Sequence, residues 1–203
     1  LQSWEAYARD VVGLMKNNDL SDENNLFFRM DESPFRFQVQ KGDNDRYARG
    51  GFELENKEAF EGAKKELINL GIEVAIESEE LAKVRCVEEL LSFDDPAGNT
   101  LELFYGRGID TNEFKSSQDI SKFVTHGLGL GHLVFGTLEV EAAHDFYKEV
   151  MNFGDSDIMR MRFSPNPDDP ESVLYFMHCD NPRHHTVCLL YTSDAADDVL
   201  CGF

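Results

Sequence analysis

The chain has 203 residues, of which 41 % are hydrophobic, enough to bury one or two cores, and two small domains are the expected outcome. Nineteen basic against thirty-nine acidic residues leave a net charge of -20, spread along the chain, which argues against nucleic acid and anionic membrane as partners. Cys86, Cys179, Cys188 and Cys201 show neither zinc-site spacing nor a disulfide framework, no apolar run nears the roughly 20 residues of a membrane span, and the 203 residues contain no charged-then-apolar leader pattern. A reduced, cytoplasmic location is the resulting expectation.

In chain order, Trp4 to Met15 has helical periodicity, with Trp4, Tyr7, Ala8, Val11 and Val12 on one face. Strands are predicted over Leu26 to Met30 and Phe35 to Gln40, separated by the Asp31-Glu32-Ser33-Pro34 turn, and over Gly51 to Leu54. Lys57 to Leu70 predicts a helix with Ala59, Phe60, Ala63, Leu67 and Leu70 inward and Gly71 at its end, and Ile72 to Ile76 predicts the start of a strand. Leu90 to Phe93 and Thr100 to Tyr105 read as two strands around Asp94-Asp95-Pro96-Ala97-Gly98-Asn99. Beyond them, 107–122 is polar and without period, the composition of a linker.

Gly127 to Thr186 holds five of the six histidines. Gly127-Leu128-Gly129-Leu130-Gly131-His132 runs into the apolar Leu133-Val134-Phe135, so His132 stands at the mouth of a strand. Val140 to Met151 is a helical pattern with Val140, Ala143, Phe146, Tyr147 and Val150 inward. Further strands follow, and Asn181-Pro182-Arg183-His184-His185-Thr186 is a turn that leads into another short strand. His132 and His185 are the residues whose context points to chemistry, whereas His126, His144 and His178 read as linker, surface and strand residues.

The two amphipathic helices repeat. Ala6 to Leu14 matches Asp145 to Phe153 in its aromatic, basic, acidic and aliphatic positions at an offset of 139, and short strands follow both. Subtracting that offset puts the counterpart of the His132 strand before Leu1. Adding it puts the counterpart of the Asp95-to-Glu102 hairpin after Phe203. The chain, which starts at Leu1, is therefore expected to be cut at both ends.

Gly129-Leu130-Gly131-His132, the Ala143-His144-Asp145-Phe146-Tyr147 helix, Met177 to Thr186 and the Asp95-Pro96-Ala97-Gly98-Asn99-Thr100-Leu101-Glu102 hairpin together resemble the type I extradiol ring-cleavage dioxygenases of the vicinal oxygen chelate superfamily. The resemblance runs from Leu1 to about Val187. It implies an α+β fold of paired βαβββ modules in two similar domains, the second incomplete. Residues 1–106 would form an N-terminal non-catalytic module lacking its first strand, 107–122 a linker, and 123–187 the first half of a catalytic module.

The resemblance also implies Fe(II) held by two histidines and a glutamate on one face, with open positions for a catechol-type aromatic substrate and O2. His132 would be the first iron ligand, His185 the acid or base beside bound oxygen, and Phe176 a wall of the substrate pocket. The second histidine ligand and the glutamate would follow Thr186. Glu102 is expected to be structural, and a homo-oligomer of an aromatic-catabolic enzyme is implied. A metal-free small-molecule-binding module and a glyoxalase-like enzyme of the same superfamily are the alternatives. Finally, Cys188 to Asp198 resembles read-through of a sequencing adapter, so 188–203 are expected to be a non-native tail that adds nothing to the fold.

Overall fold

The computed structural model describes residues 1–162, 166 and 171–191. The chain opens with α1 (Gln2–Tyr7), which widens into π-helical turns over Ala8–Val12 before Gly13 closes it in the left-handed region at φ 84°. The expected apolar face of this helix is only partly used. Ala8 is buried, whereas Tyr7, Val11 and Val12 are exposed, because the π turns break the 3.6-residue period that would have stacked Val11 and Val12 above Trp4 and Tyr7. The helix packs on an antiparallel sheet of β1 (Met15–Lys16), β2 (Asn25–Arg29) and β3 (Phe37–Gln40), burying Leu14, Leu26, Phe28 and Met30.

Two complete βαβββ units follow. The first comprises β4 (Gly50–Glu53), α2 (Lys57–Asn69), β5 (Ala75–Ile76), β6 (Glu89–Asp94) and β7 (Thr100–Tyr105), with the additional helix α3 (Glu79–Arg85) between β5 and β6. The second comprises β8 (Leu133–Thr137), α4 (Val140–Glu149), β9 (Gly154–Met161), β10 (Ser172–His178) and β11 (Val187–Tyr191). Their strand orders are the same, β4-β7-β6-β5 and β8-β11-β10-β9. In each, the first strand crosses through its helix to lie parallel to the last. The repeat is thus shorter than the 139-residue offset indicated, which compared only the opening unit with the final one.

Helices form where capping and apolar spacing agree. Asn56 caps α2 by accepting from the amide of Ala59, and Phe60 and Leu67 are fully buried, although the predicted Leu70 lies half exposed past the helix end. In α4 the predicted Val140, Ala143, Phe146 and Tyr147 are all buried. The helix α3 went unpredicted because Glu79 to Arg85 is mostly charged and buries only Ala82 and Arg85. Likewise β5 starts at Ala75 rather than Ile72.

One apolar core joins the two βαβββ units. Tyr47 meets Phe135 edge-on at 5.2 Å, Phe52 meets Phe153 at 5.7 Å, and the Tyr147 hydroxyl donates to Asp95 at 3.1 Å. The stretch expected to be a linker is tied down. Asp110 pairs with buried Arg29 at 2.9 Å, the Arg29 guanidinium also donates to the carbonyl of Asn112, and Ser116 donates to the carbonyl of Gly13 at 2.7 Å.

The expected tail needs correction. β11 continues through Tyr191 as an inner strand between β8 and β10, with Cys188 and Leu189 buried, so Cys188–Tyr191 belong to the fold. The boundary placed after Val187 falls inside a strand, because an apolar Cys-Leu-Leu run that meets two open ladder edges pairs with both. The remainder of the expected tail, 192–203, lies outside the described residues.

Candidate functional site

Topology brings the two singled-out histidines together. β8 and β11 run parallel with Leu133 opposite Val187, and the amide of Leu133 donates to the carbonyl of Thr186 at 3.0 Å. Residues that precede the two strands therefore lie at the same sheet edge. His132 and His185 stand there with ring centroids 4.2 Å apart and planes inclined by 51°.

Phe176 comes to the same place from β10. Along that strand Val173, Tyr175 and Met177 point into the core, so the alternate residues Leu174, Phe176 and His178 point to the opposite face. The Phe176 ring lies 5.0 Å from His185, edge to face. His184 adds a third imidazole, its Nδ1 3.1 Å from Nδ1 of His185.

The loops that carry the histidines have local causes. Gly127 and Gly129 both take positive φ, at 74° and 77°, which only glycine adopts without strain and which accounts for the alternate glycines before His132. On the other side, Asn181 accepts from the amide of Arg183 at 2.9 Å, an Asx turn that starts the reversal after β10. Arg183 then donates to the carbonyl of Gly131, joining the two loops next to His132.

The electrostatics favour neutral imidazoles. His132 sits below the ordinary histidine pKa, chiefly because burial desolvates it and secondly because the Arg183 cation is near. His185 is lowered first by burial and then by His132, His184 and Arg183. Both rings therefore present free nitrogen lone pairs at neutral pH, the state needed to bind a metal or accept a proton.

Glu102 has a different environment. It is buried on β7 with both carboxylate oxygens taken by Arg85, whose Nε approaches to 3.1 Å, and a further contact from Arg49 at 3.3 Å. Two guanidinium groups occupy it, which supports the structural reading.

His144, read as a surface residue, is mostly covered, stacked on Tyr175 at 4.2 Å and 2.6 Å from Asp155. Among the described residues, no group of three or more His, Cys, Asp or Glu side chains is placed to hold a metal ion, and no helix is long and apolar enough to cross a membrane. The contact of Arg183 with the His132 loop was not legible in the sequence. An arginine two residues before a histidine was the one available signal.

Comparison with known proteins gives this edge a context. A family model described as dihydroxybiphenyl dioxygenase BphC D1 matches residues 1–42. The chain is 34 % identical over 193 residues to the iron-dependent extradiol dioxygenase of Rhodococcus jostii (strain RHA1), covering 94 % of this chain and 63 % of that protein. It is 33 % identical over 187 residues to the 3-methylcatechol 2,3-dioxygenase of Pseudomonas putida strain F1, covering 92 % and 62 %. The chain thus spans about three fifths of the length of these curated relatives.

Among solved structures, BphC, a halotolerant catechol dioxygenase, superposes with a TM-score of 0.82 at 29 % identity over 94 % of this chain and 60 % of that one. The Mn(II)-bound glyoxalase from Novosphingobium aromaticivorans shares the fold at 17 % identity, with a TM-score of 0.67 over 94 % of this chain and 57 % of that one. Along nearly its whole length, then, the chain is similar in sequence to extradiol dioxygenases, and it shares the repeated βαβββ units of solved catechol dioxygenases in space.

Proposed function

We propose that this chain is the part of an Fe(II)-dependent extradiol dioxygenase that supplies one iron ligand and the proton-transfer group, in a protein that opens a catechol-type ring beside its hydroxyls with O2. The single observation that carries the reading is the meeting of His132, His185 and Phe176 at one sheet edge. In the proposed division, 1–106 is the non-catalytic module, 107–122 the connection to it, and 123–187 with the rest of β11 the catalytic part.

The donor set can be tested against iron. A facial site needs two imidazoles and a carboxylate around open positions. Here His132 offers one neutral imidazole, and the described residues do not complete the set. Iron held by a completed set would bring catechol and dioxygen side by side. What the chain's own residues do is narrower. His185, neutral and held beside the His132 position, can accept a catechol hydroxyl proton and return it later, the task for which imidazole is suited near pH 7. Phe176 offers a flat apolar edge on which an aromatic ring can rest.

Taken alone, the 203-residue chain should retain less than stoichiometric Fe(II) after desalting, because one imidazole cannot define the site. Metal analysis that finds one iron per chain held at micromolar concentration would overturn the assignment. Expressed from its genomic reading frame, with whatever that frame adds on either side, the protein should consume O2 with a catechol and release a yellow ring-opened product. In that protein His132→Ala should abolish iron retention, whereas His185→Ala should keep iron and slow turnover by roughly 10²-fold or more. Loss of metal in His185→Ala would reverse the two roles. A wild type that binds catechol and leaves it intact would make the protein a binding module. A cytoplasmic homo-oligomer completes the proposal, with sedimentation as its check.

A further inference from the structure

The turn that carries His185 is tied to the neighbouring strand by a serine and a histidine that the assigned roles do not use. Ser156 on β9 donates its hydroxyl to the carbonyl of His184, the residue before His185. The same oxygen lies 2.7 Å from Nδ1 of His178, at the end of β10. His178 in turn rests against Gly154, its partner across the ladder, so closely that a Cβ there would come within 2.8 Å of the imidazole. Gly154 thus leaves the space in which the ring can reach Ser156.

Proton counting decides how this relay runs. A backbone carbonyl can only accept, and a serine hydroxyl has one hydrogen, so the Ser156 proton goes to His184. Nδ1 of His178 must then be the donor to Ser156, which requires that Nδ1 carry a hydrogen. On its other side the turn is held by Arg183 through the carbonyl of Gly131. Both flanks of His184-His185 are thereby anchored, one to β9 and one to the His132 loop.

We infer that Ser156, oriented by His178, is a positioning residue that fixes the His184-His185 turn and so aims the His185 ring toward His132. The inference deepens the proposed role of His185 and rests on that reading for its functional meaning. Its geometry, however, can be tested on the chain alone.

The experiment is nitrogen-resolved NMR of the histidine rings in the uniformly ¹⁵N-labelled 203-residue chain, with amide exchange measured alongside. The wild type should show His178 with a hydrogen on Nδ1. Ser156→Ala should move His178 to the Nε2–H form, displace the His185 ring signals, and speed exchange of the Thr186 amide by about threefold to tenfold, the effect of losing one net hydrogen bond. Ser156→Thr, which keeps the hydroxyl, should restore all three. If Ser156→Ala proves too unstable to study, His178→Phe must show the same displacement of His185, because it removes the donor that orients the serine.

An Nε2–H tautomer in the wild type would overturn the relay. Unmoved His185 signals in Ser156→Ala would overturn the positioning role even if His178 responds. None of these readouts uses turnover, so their failure would leave the dioxygenase reading standing, and an inactive full-length protein would leave the relay standing.

Discussion

A chain ending at Val187 should be less stable than one ending at Tyr191 by about 4 kcal/mol or more, with loss of cooperative unfolding in the last βαβββ unit. The reason is the position of β11. It is an inner strand, paired in parallel with β8 from Leu133 to Thr137 and antiparallel with β10 from Leu174 to Met177. Leu189 is wholly buried and Cys188 nearly so. Removing Leu189 alone forfeits about 2–3 kcal/mol of apolar burial, and its absence leaves backbone donors and acceptors on two strands without their ladder partners.

The unit should respond locally before it responds globally. Amides of β8 would lose exchange protection, while those of β6 and β7, paired with each other in a separate sheet, would keep theirs. Urea unfolding of the two chains side by side is the decisive measurement. Equal midpoints would show that residues 188–191 contribute nothing to stability.

The second large effect concerns Glu102. Glu102→Ala should destabilise the protein by about 3–5 kcal/mol, because it leaves the buried Arg85 guanidinium without its counter-charge and removes the partner of the exposed Arg49. Arg85 would keep only its bond to the Gln38 side chain at 3.0 Å. Glu102→Gln should lose less, since the amide still fills the space and still accepts one hydrogen bond.

A double replacement separates charge from shape. Glu102→Leu combined with Arg85→Met should recover much of the loss, as apolar residues of similar volume commonly replace a buried ion pair at little penalty. Chemical denaturation of the four proteins reads the outcome. If Glu102→Ala were as stable as the wild type, the carboxylate would not be structural, and a role in ligand or metal binding would have to be considered for this buried position.

Much of this was legible from residue order alone. Spacing of apolar residues located α2 and α4, because burial against a sheet on one side selects a 3.6-residue period and Phe60, Leu67, Val140 and Tyr147 follow it. Turn chemistry located the β6–β7 hairpin, where Asp95 accepts from the amides of Ala97 and Asn99 in a short loop closed by Gly98. Glycine before His132 and the Asn-Pro-Arg-His-His turn identified the two candidate histidines, since both motifs impose backbone shapes that few other residues permit.

The sequence by itself determined the helices with strong periods and the pair of histidines worth attention, because these depend on interactions within a few residues along the chain, while the class of the fold came from its resemblance to a family. Only the tertiary structure decided that His132 and His185 face each other across 4.2 Å, since that follows from the parallel register of two strands more than fifty residues apart. It alone decided that Cys188 to Tyr191 complete a sheet, because whether an apolar run is a strand or a tail depends on the edges it meets. And it alone tied the His185 turn to Ser156 and Arg183, polar residues whose partners are set by distance in space, which no local pattern encodes.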